Sequence, residues 1–324
     1  MGIGEWIILA LLVAAGLLGL HVARLKRGQR QAEAAAPRIG KTTRVPGGAI
    51  HWVESGEGPP IVLIHGLGGQ FRNWTYAVAE RLAPAYRVIS IDRPGCGYSE
   101  RESDAHAALS TQARMIVDFL DAEGIERPLV AGHSLGGAVT LALALEHPEK
   151  LSGFALVAPL THPPAKVSEA FAGLGVGNPL VRRAIAWTVA VPMARKYAEA
   201  TLQTIFAPEP APDDFVTRGG GVLGLRPRAF VATSADFVAA GDIGALSPRW
   251  ESIALPGGVL YGDQDALLDH KEQGEALVAR LPHLDWTLLE GRGHMLPITA
   301  PDETAEFIRR VADRAFAPAA PAAV

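Results

Sequence analysis

The chain opens with an uninterrupted apolar segment, behind which short apolar runs alternate with stretches of helical periodicity. No formally charged side chain occurs over residues 6–23, and a helix of about 18 apolar residues can span, or nearly span, a bilayer. Short apolar runs predict strands at residues 49–54, 61–64, 86–91, 128–131, 154–158, 257–260 and 285–290. Helices are predicted over residues 109–123, 138–147, 273–281 and 301–316. This alternation is typical of an α/β protein with a mostly parallel sheet.

Residues 1–24 are predicted to be a single-pass membrane anchor. The basic residues Arg24, Lys26, Arg27 and Arg30 follow the apolar run, whereas Glu5 is the only charged side chain before it. The positive-inside rule therefore predicts that the rest of the chain lies in the cytoplasm. A cleaved signal peptide followed by export is the alternative, but a basic leader is missing and basic residues stand where a cleavage site belongs.

Residues 160–248 are predicted to form a helical cap inserted into the α/β core. Their pattern is helical and punctuated by Pro and Gly, so the core comprises residues 45–159 and 249–317. Asn178 before Pro179 predicts a helix start, with one apolar helix over 180–191 and another over 193–206. The basic and Ala-rich residues 25–44 predict a stalk, and the Ala/Pro-rich residues 318–324 a disordered tail.

Composition narrows the function classes. The chain has 324 residues, 48% of them hydrophobic, with a net charge of −4 and one cysteine, Cys96. One cysteine excludes an internal disulfide framework, and we expect Cys96 to be a spectator. No metal-ligand spacing, dinucleotide-binding loop or basic patch stands out, so no metal, no cofactor and no nucleic-acid partner is expected.

The pentapeptide Gly132-His133-Ser134-Leu135-Gly136 lies between a predicted strand and a predicted helix. A G-x-S-x-G sequence in that context predicts a nucleophile elbow, a sharp turn that exposes a serine hydroxyl above the end of a sheet. Ser134 is then the candidate nucleophile. A glycine-rich turn with an incidental serine is the alternative, and the downstream residues argue against it.

A serine nucleophile requires a histidine base and a carboxylate that orients it, in the chain order Ser, acid, His. One predicted strand runs into Asp263 and Asp265, and another runs into Gly291-Arg292-Gly293-His294. Open α/β sheets assemble their sites in such loops, past the carboxyl ends of strands. His294 is the predicted base, and either aspartate can be the acid.

Two further motifs complete a resemblance to a known family. His65-Gly66-Leu67-Gly68-Gly69 follows the strand 61–64, and Asp92-Arg93-Pro94-Gly95-Cys96-Gly97-Tyr98-Ser99 follows the strand 86–91. With the elbow, acid and histidine loops in this order, residues 45–316 resemble serine hydrolases of the α/β-hydrolase fold. The resemblance implies an eight-stranded, mostly parallel sheet with a helical cap, joined here to the amino-terminal transmembrane helix.

The resemblance also implies roles for individual residues. It identifies Asp265, three residues after Gly262, as the acid and leaves Asp263 as a rival that shapes the loop. It assigns the oxyanion hole to the backbone N–H groups of Leu67 and Leu135. We expect substrate contacts from His65, Gly66, His133 and Trp187.

The expected function is hydrolysis of a carboxylic ester through an acyl-enzyme, because relatives that act on halides or epoxides carry aspartate where this chain has Ser134. The chain resembles membrane-anchored monoacylglycerol lipases and carboxylesterases. That resemblance implies a small-molecule ester with an apolar acyl chain as substrate, and the amino-terminal helix implies the lipid bilayer as partner. The oligomeric state stays open.

Two alternatives remain. A carbon–carbon bond hydrolase acting on a vinylogous diketone shares the same triad, and the Asn73-Trp74 segment is faintly similar to such enzymes. A non-catalytic ligand-binding module on the same fold would be indicated by a missing or displaced triad residue. All three candidates, Ser134, Asp265 and His294, are present in the sequence.

Overall fold

The computed structural model describes residues 2–317, so the predicted tail at 318–324 lies outside the described residues. A single sheet occupies the centre of this part of the chain. Its strands are β1 (Lys41–Val45), β2 (Gly48–Ser55), β3 (Pro60–Ile64), β4 (Arg87–Ile91), β5 (Glu100–Arg101), β6 (Leu129–His133), β7 (Gly153–Val157), β8 (Gly257–Gly262) and β9 (Asp285–Leu289).

The sheet order is β1-β2-β4-β3-β6-β7-β8-β9, and the two-residue β5 pairs with β2. The pairs that involve β1, β2 and β5 are antiparallel, and all those from β4 through β9 are parallel. The predicted sheet of eight mostly parallel strands is therefore confirmed, with the short β5 added to it.

The sheet begins earlier than the sequence predicted. β1 precedes the expected first strand and pairs with it from Lys41 opposite Trp52 to Val45 opposite Gly48. Apart from Val45, the side chains of β1 are polar and at least partly exposed. Charged side chains are common on edge strands, which they protect from further pairing. Because these side chains are polar, the segment contains no apolar run from which the strand could be predicted.

Helices flank the sheet and form much of the cap region. They are α1 (Ile3–Ala35), α2 (Arg72–Thr75), α3 (Val78–Leu82), α4 (Leu109–Ala122), α5 (Leu135–Glu146), α6 (Pro179–Ile185), α7 (Val191–Lys196), α8 (Ala198–Phe206), α9 (Pro227–Ala239), α10 (Ile243–Leu246), α11 (Ala276–Arg280), α12 (Leu296–Thr299) and α13 (Pro301–Ala315). Shorter 3₁₀ turns occupy 104–107, 148–150, 169–174, 221–225, 240–242 and 247–252, and π-helical turns occupy 186–190 and 271–275.

The core lies between the sheet and its flanking helices. α5 packs on β6 and β7, and every residue from 135 to 144 is buried. α13 packs on β7 and β8 through one apolar face that includes Phe307, Ile308 and Val311. This packing fixes the start of α5, and with it the loops at the carboxyl ends of the parallel strands.

The cap helices differ in detail from the prediction. Asn178 caps α6 as expected, its side-chain oxygen accepting from the N–H groups of Leu180 at 2.9 Å and Val181 at 3.2 Å. The predicted single helix over 180–191 instead widens into a π-helical turn at 186–190 and continues as α7. Pro192 explains the widening, because it has no N–H to donate to residue 188.

The predicted amino-terminal apolar helix is present as α1, which has 33 residues. At about 1.5 Å per residue it is about 50 Å long. Residues 3–20 are exposed, whereas Leu25, Gly28 and Ala32 are buried against the cap. Residues 25–35 therefore continue the helix and dock on the cap, where the sequence had predicted a separate stalk.

Candidate active site

Ser134 occupies a strained turn between β6 and α5. Its backbone has φ 55° and ψ −121°, a conformation that costs free energy for a residue with a side chain. Hydrogen bonds hold it: Ser134 N–H donates to Val157 O at 3.0 Å, and Leu160 N–H donates to Ser134 O at 3.0 Å. A Cβ on Gly136 would collide with the carbonyl oxygen of Ile64. The strand, sharp turn and helix that the pentapeptide predicted are all present.

Asp265 holds the imidazole of His294. The Nδ1 atom of His294 lies 2.6 Å from Asp265 Oδ2, and the Asp265 side chain is fully buried. Its other oxygen, Oδ1, accepts from the N–H groups of Leu267 at 2.8 Å and Leu268 at 3.0 Å. Because Nδ1 must donate to the carboxylate, a neutral His294 has an unprotonated Nε2, the form that a general base requires.

The histidine loop lies beside the elbow. The rings of His294 and His133, the residue before Ser134, have centroids 4.9 Å apart. His133 Nε2 donates to the carbonyl oxygen of His294 at 3.0 Å. Burial, and then the nearby His294, lower the pKa of His133 to about 3. His133 is therefore neutral near pH 7 and adds no positive charge beside His294.

Asp263 makes a different contact. Its Oδ1 accepts from the N–H of Gly291 at 2.6 Å, which ties the loop after β8 to the loop after β9. Within residues 2–317, Asp265 is the one of the two aspartates that contacts His294. The geometry thus favours Asp265 as the acid and Asp263 as a loop-shaping residue.

The loop at residues 65–69 lies directly against the nucleophile. A Cβ on Gly66 would lie 2.9 Å from Ser134 Cβ, so only glycine fits without displacement. Within the described part of the chain, neither Leu67 N–H nor Leu135 N–H donates to a protein acceptor. Leu135 is the first residue of α5, and first-turn amides carry the partial positive charge of the helix dipole. Both groups are available to an anionic oxygen.

His65 supports this loop from behind. Its Nδ1 donates to Gly66 O at 2.8 Å, and its Nε2 accepts from Arg93 N–H at 2.9 Å. Burial, and then the positive charge of Arg93, lower the pKa of His65 to about 4. Because backbone groups occupy both ring nitrogens and the side chain is buried, His65 shapes the loop and has no free polar atom for the expected substrate contact.

The other expected substrate contacts differ in their placement. Gly66 lies against Ser134, whereas Trp187 is partly exposed in the π-helical turn at 186–190. That turn packs against α1, α6, α7 and α9, so a substrate contact of Trp187 stays a prediction. Asn73 donates its side-chain amide to Gly219 O of the cap at 3.1 Å, so that amide is occupied by backbone.

A buried ionic cluster connects the cap to the loop that carries Leu67. Arg93 donates to the carbonyl oxygens of His65 at 2.9 Å and Gly66 at 3.0 Å. Its remaining nitrogen donates at 2.8 Å to Asp236 of α9, and Arg101 donates to the same carboxylate at 2.5 Å. The Arg93 and Asp236 side chains are fully buried. The carboxylate from the cap thus fixes the guanidinium that holds the loop.

Sequence reasoning missed this cluster. Arg93 lies in the motif at residues 92–99, and nothing in the sequence of that motif predicts a role for this side chain. The signal for Asp236 was an acidic residue inside the apolar stretch of α9, whose Ala232 and Ala235 are also buried. Buried charges are rare unless they are paired, but the sequence does not identify the partner.

We expect Asp236→Asn to weaken both the fold and the site. The substitution leaves the guanidiniums of Arg93 and Arg101 buried without their counter-charge, a loss of about 3–5 kcal/mol in unfolding free energy. Because the loop at 65–69 would lose a fixed support, we also expect kcat to fall more than KM rises. Denaturant unfolding and steady-state kinetics measure both effects. Asp242→Asn, an exposed change in the same cap, is the matched control, and equal unfolding of the two variants would contradict the argument.

A second contact joins the cap to the histidine loop. Glu209 Oε2 accepts from the N–H of Gly293 at 2.9 Å, the residue just before His294.

The buried ionic cluster also contains Cys96, which donates to Asp236 Oδ2 at 3.4 Å. Burial, and then the negative charge of Asp236, raise the pKa of Cys96 to about 12. The thiol is therefore protonated near pH 7, which is consistent with a spectator.

The chain matches known proteins over most of its length. Residues 59–301 match the family model of the alpha/beta hydrolase fold. A 2-hydroxymuconate semialdehyde hydrolase of Pseudomonas sp. strain CF600 is 38% identical over 125 residues, which cover 38% of this chain and 44% of that protein. The chain spans less than half the length of the curated relatives it matches first.

Solved structures align over more of the chain. A membrane phospholipase A is 27% identical with a TM-score of 0.63, and the alignment covers 97% of this chain and 98% of that one. An alpha/beta hydrolase fold protein from Burkholderia ambifaria is 24% identical with a TM-score of 0.69, covering 82% and 95%. The family match extends over the elbow, the acid loop and the histidine loop described above. The chain belongs to the alpha/beta hydrolase fold family.

Proposed function

We propose that this protein is a membrane-anchored serine hydrolase that cleaves carboxylic esters through an acyl-enzyme. Ser134 is the nucleophile, His294 the general base and Asp265 the residue that orients His294. The contact between Asp265 Oδ2 and His294 Nδ1, at 2.6 Å beside the elbow, is the observation that carries this proposal. A non-catalytic module on the same fold would have no need for a strained serine next to a carboxylate-held imidazole.

The chemistry follows from these positions. Ser134 Oγ attacks the ester carbonyl carbon while His294 Nε2 takes its proton. The carbonyl oxygen becomes an oxyanion, which accepts hydrogen bonds from Leu67 N–H and Leu135 N–H. The carbon–oxygen bond to the leaving alcohol then breaks as His294 returns the proton to that alcohol. Water repeats the sequence on the acyl-enzyme and regenerates Ser134, while buried Asp265 stabilises the imidazolium in both halves.

The apolar part of α1 supports anchoring. Two helical stretches among the described residues, Ile3–Ala35 and Pro227–Ser252, are long and apolar enough to cross a membrane. The second lies mostly in the cap and contains buried Asp236. In α1 the most apolar window has a mean hydropathy of 2.4 and is 0% buried. The similarity to a membrane phospholipase A along 97% of this chain also supports an anchor. By the positive-inside rule, the basic flank and the catalytic part of such an anchored chain lie in the cytoplasm.

Lipid esters such as monoacylglycerols are the proposed substrates. A bilayer anchor gives the site access to esters dissolved in lipid, and the membrane relative is named as a phospholipase. A carbon–carbon bond hydrolase is the alternative that the Asn73-Trp74 segment suggested, and one sequence relative is named as a 2-hydroxymuconate semialdehyde hydrolase. The side-chain amide of Asn73, however, donates to Gly219 O of the cap.

A single substrate panel tests the proposal. Monoacylglycerols of increasing length, acetate and butyrate esters and a vinylogous diketone are compared by kcat/KM, with Ser134→Ala measuring the activity that remains without the nucleophile. Each methylene that fits an apolar site contributes up to about 0.8 kcal/mol, about fourfold in rate. We therefore expect kcat/KM to climb with chain length and then level off. Preference for acetate would contradict the lipid substrate, and turnover of the diketone alone would contradict ester hydrolysis.

A further inference from the structure

We propose that one side of the cap is a bilayer-contact surface, so that the enzyme rests on the membrane through its cap as well as through α1. This surface, the cap row, consists of Val181, Ile185, Val189, Met193 and Tyr197. The proposal rests on the proposed anchoring of α1 and commits to one partner, an anionic lipid surface. It extends the membrane contact from the anchor to the part of the chain that covers the active site.

The depth of the cap row follows from where α1 meets the cap. Residues 3–20 of α1 are exposed, and His21 Nε2 donates to the carbonyl oxygen of Thr188 at 2.8 Å. About two turns further along α1, Gly28 packs so closely on Arg195 that a Cβ would lie 2.6 Å from its guanidinium. The apolar run therefore ends where α1 first touches the cap. A span that fills the hydrocarbon places Thr188 and its neighbour Val189 at the membrane interface.

The cap row is apolar and exposed at this depth. Val181, Val189, Met193 and Tyr197 are 49%, 53%, 46% and 47% exposed, and Ile185 is partly exposed. Residues four apart are neighbours on a helix surface, so each side chain of the cap row lies next to the following one. A neighbouring line, with Arg182, Ala186 and Ala190, is buried in the protein. Insertion of the cap row into the interface removes its apolar surface from water.

Cations flank the same place. Arg24, Lys26 and Arg27 on α1 and Arg195 and Lys196 on α7 are exposed. Within residues 2–317 none of these five forms an ion pair. Basic residues next to an apolar surface favour anionic headgroups. They would repel the same residues of a second copy, so the charge pattern fits a bilayer better than self-association.

Lipid quenching of a fluorophore tests the cap row. Cysteines are introduced singly as Val189→Cys, Leu12→Cys in the apolar part of α1, and Leu288→Cys on β9, which is 40% exposed. Native Cys96 is only 4% exposed and is not expected to react. The full chain is labelled with bimane and reconstituted in vesicles of phosphatidylethanolamine and phosphatidylglycerol that carry nitroxide-labelled acyl chains. We expect several-fold quenching at positions 12 and 189 and none at 288.

The outcomes separate the two proposals. Quenching at position 12 without quenching at 189 would overturn the cap row and leave the anchor standing. No quenching at either position would overturn both. As a second measurement, Val189→Glu should lower turnover of a vesicle-borne ester several-fold and leave a water-soluble ester unchanged, with Leu288→Glu as the control. If Val189→Glu instead turned a dimer into a monomer with vesicle turnover unchanged, the partner would be a second copy.

Discussion

Replacement of Ser134 by alanine should abolish covalent labelling by a fluorophosphonate and lower ester turnover by several orders of magnitude. Loss of a serine nucleophile removes the acyl-enzyme pathway altogether, and what remains is the contribution of binding and of the oxyanion donors. The fold should be retained, because alanine can be held in the same turn by the backbone hydrogen bonds to Val157 and Leu160. Mass spectrometry of the labelled peptide and steady-state kinetics measure the two effects.

Ser252→Ala is the control for this experiment. Ser252 is exposed in the cap-proximal turn 247–252 and bonds only to Arg249 O among the residues that the structure describes. Its variant should be labelled and turn over like the parent protein. Labelling that persists in Ser134→Ala would show that another residue is the nucleophile, and the assignment of His294 and Asp265 would then lose its basis.

The features that the sequence predicted well are those set by short stretches of chain. β6, the turn at Ser134 and α5 are adjacent in sequence, so glycine spacing and an apolar run are enough to predict them. The loops that carry Asp265 and His294 likewise follow directly from β8 and β9. Parallel strands end at one edge of the sheet, which is why these separate loops could be expected to meet there.

The features that escaped prediction depend on pairing between distant residues. β1 has no apolar run because it lies at the sheet edge, and only its partner β2 reveals it. In the sequence Asp236 is one acidic residue of a helix, and its role is evident only from its hydrogen bonds with Arg93 and Arg101 in the structure. Residues 25–35 were expected to form a stalk because nothing in their composition indicates that α1 docks on the cap.

The cap contacts the loops of the active site at several points. Asp236 reaches the loop of Leu67 through Arg93, and Glu209 holds the N–H next to His294. α1 in turn docks on the cap through His21 and Gly28. Any displacement of the cap therefore acts on both the loop that carries Leu67 and the histidine loop. In this arrangement the proposed membrane contact and the proposed catalytic geometry depend on the same cap.

Asp265→Asn should lower turnover by a factor on the order of 10⁴, whereas Asp263→Asn should change it far less. The difference follows from which oxygen is already occupied. Asp265 Oδ1 accepts from Leu267 N–H and Leu268 N–H, so the asparagine oxygen takes that position and the amide nitrogen faces His294. An NH₂ group donates to Nδ1 and forces the proton onto Nε2, where His294 can no longer accept a proton from Ser134.

At position 263 the same change is conservative in its hydrogen bonding. Asp263 accepts one bond, from Gly291 N–H, and an asparagine oxygen can accept it equally well. Steady-state kinetics on the two variants, with matched unfolding curves to show that both are folded, decide between the aspartates. The opposite ranking, with the larger loss at Asp263, would make Asp263 the acid and would mean that the 2.6 Å contact between Asp265 and His294 is not the one used in catalysis.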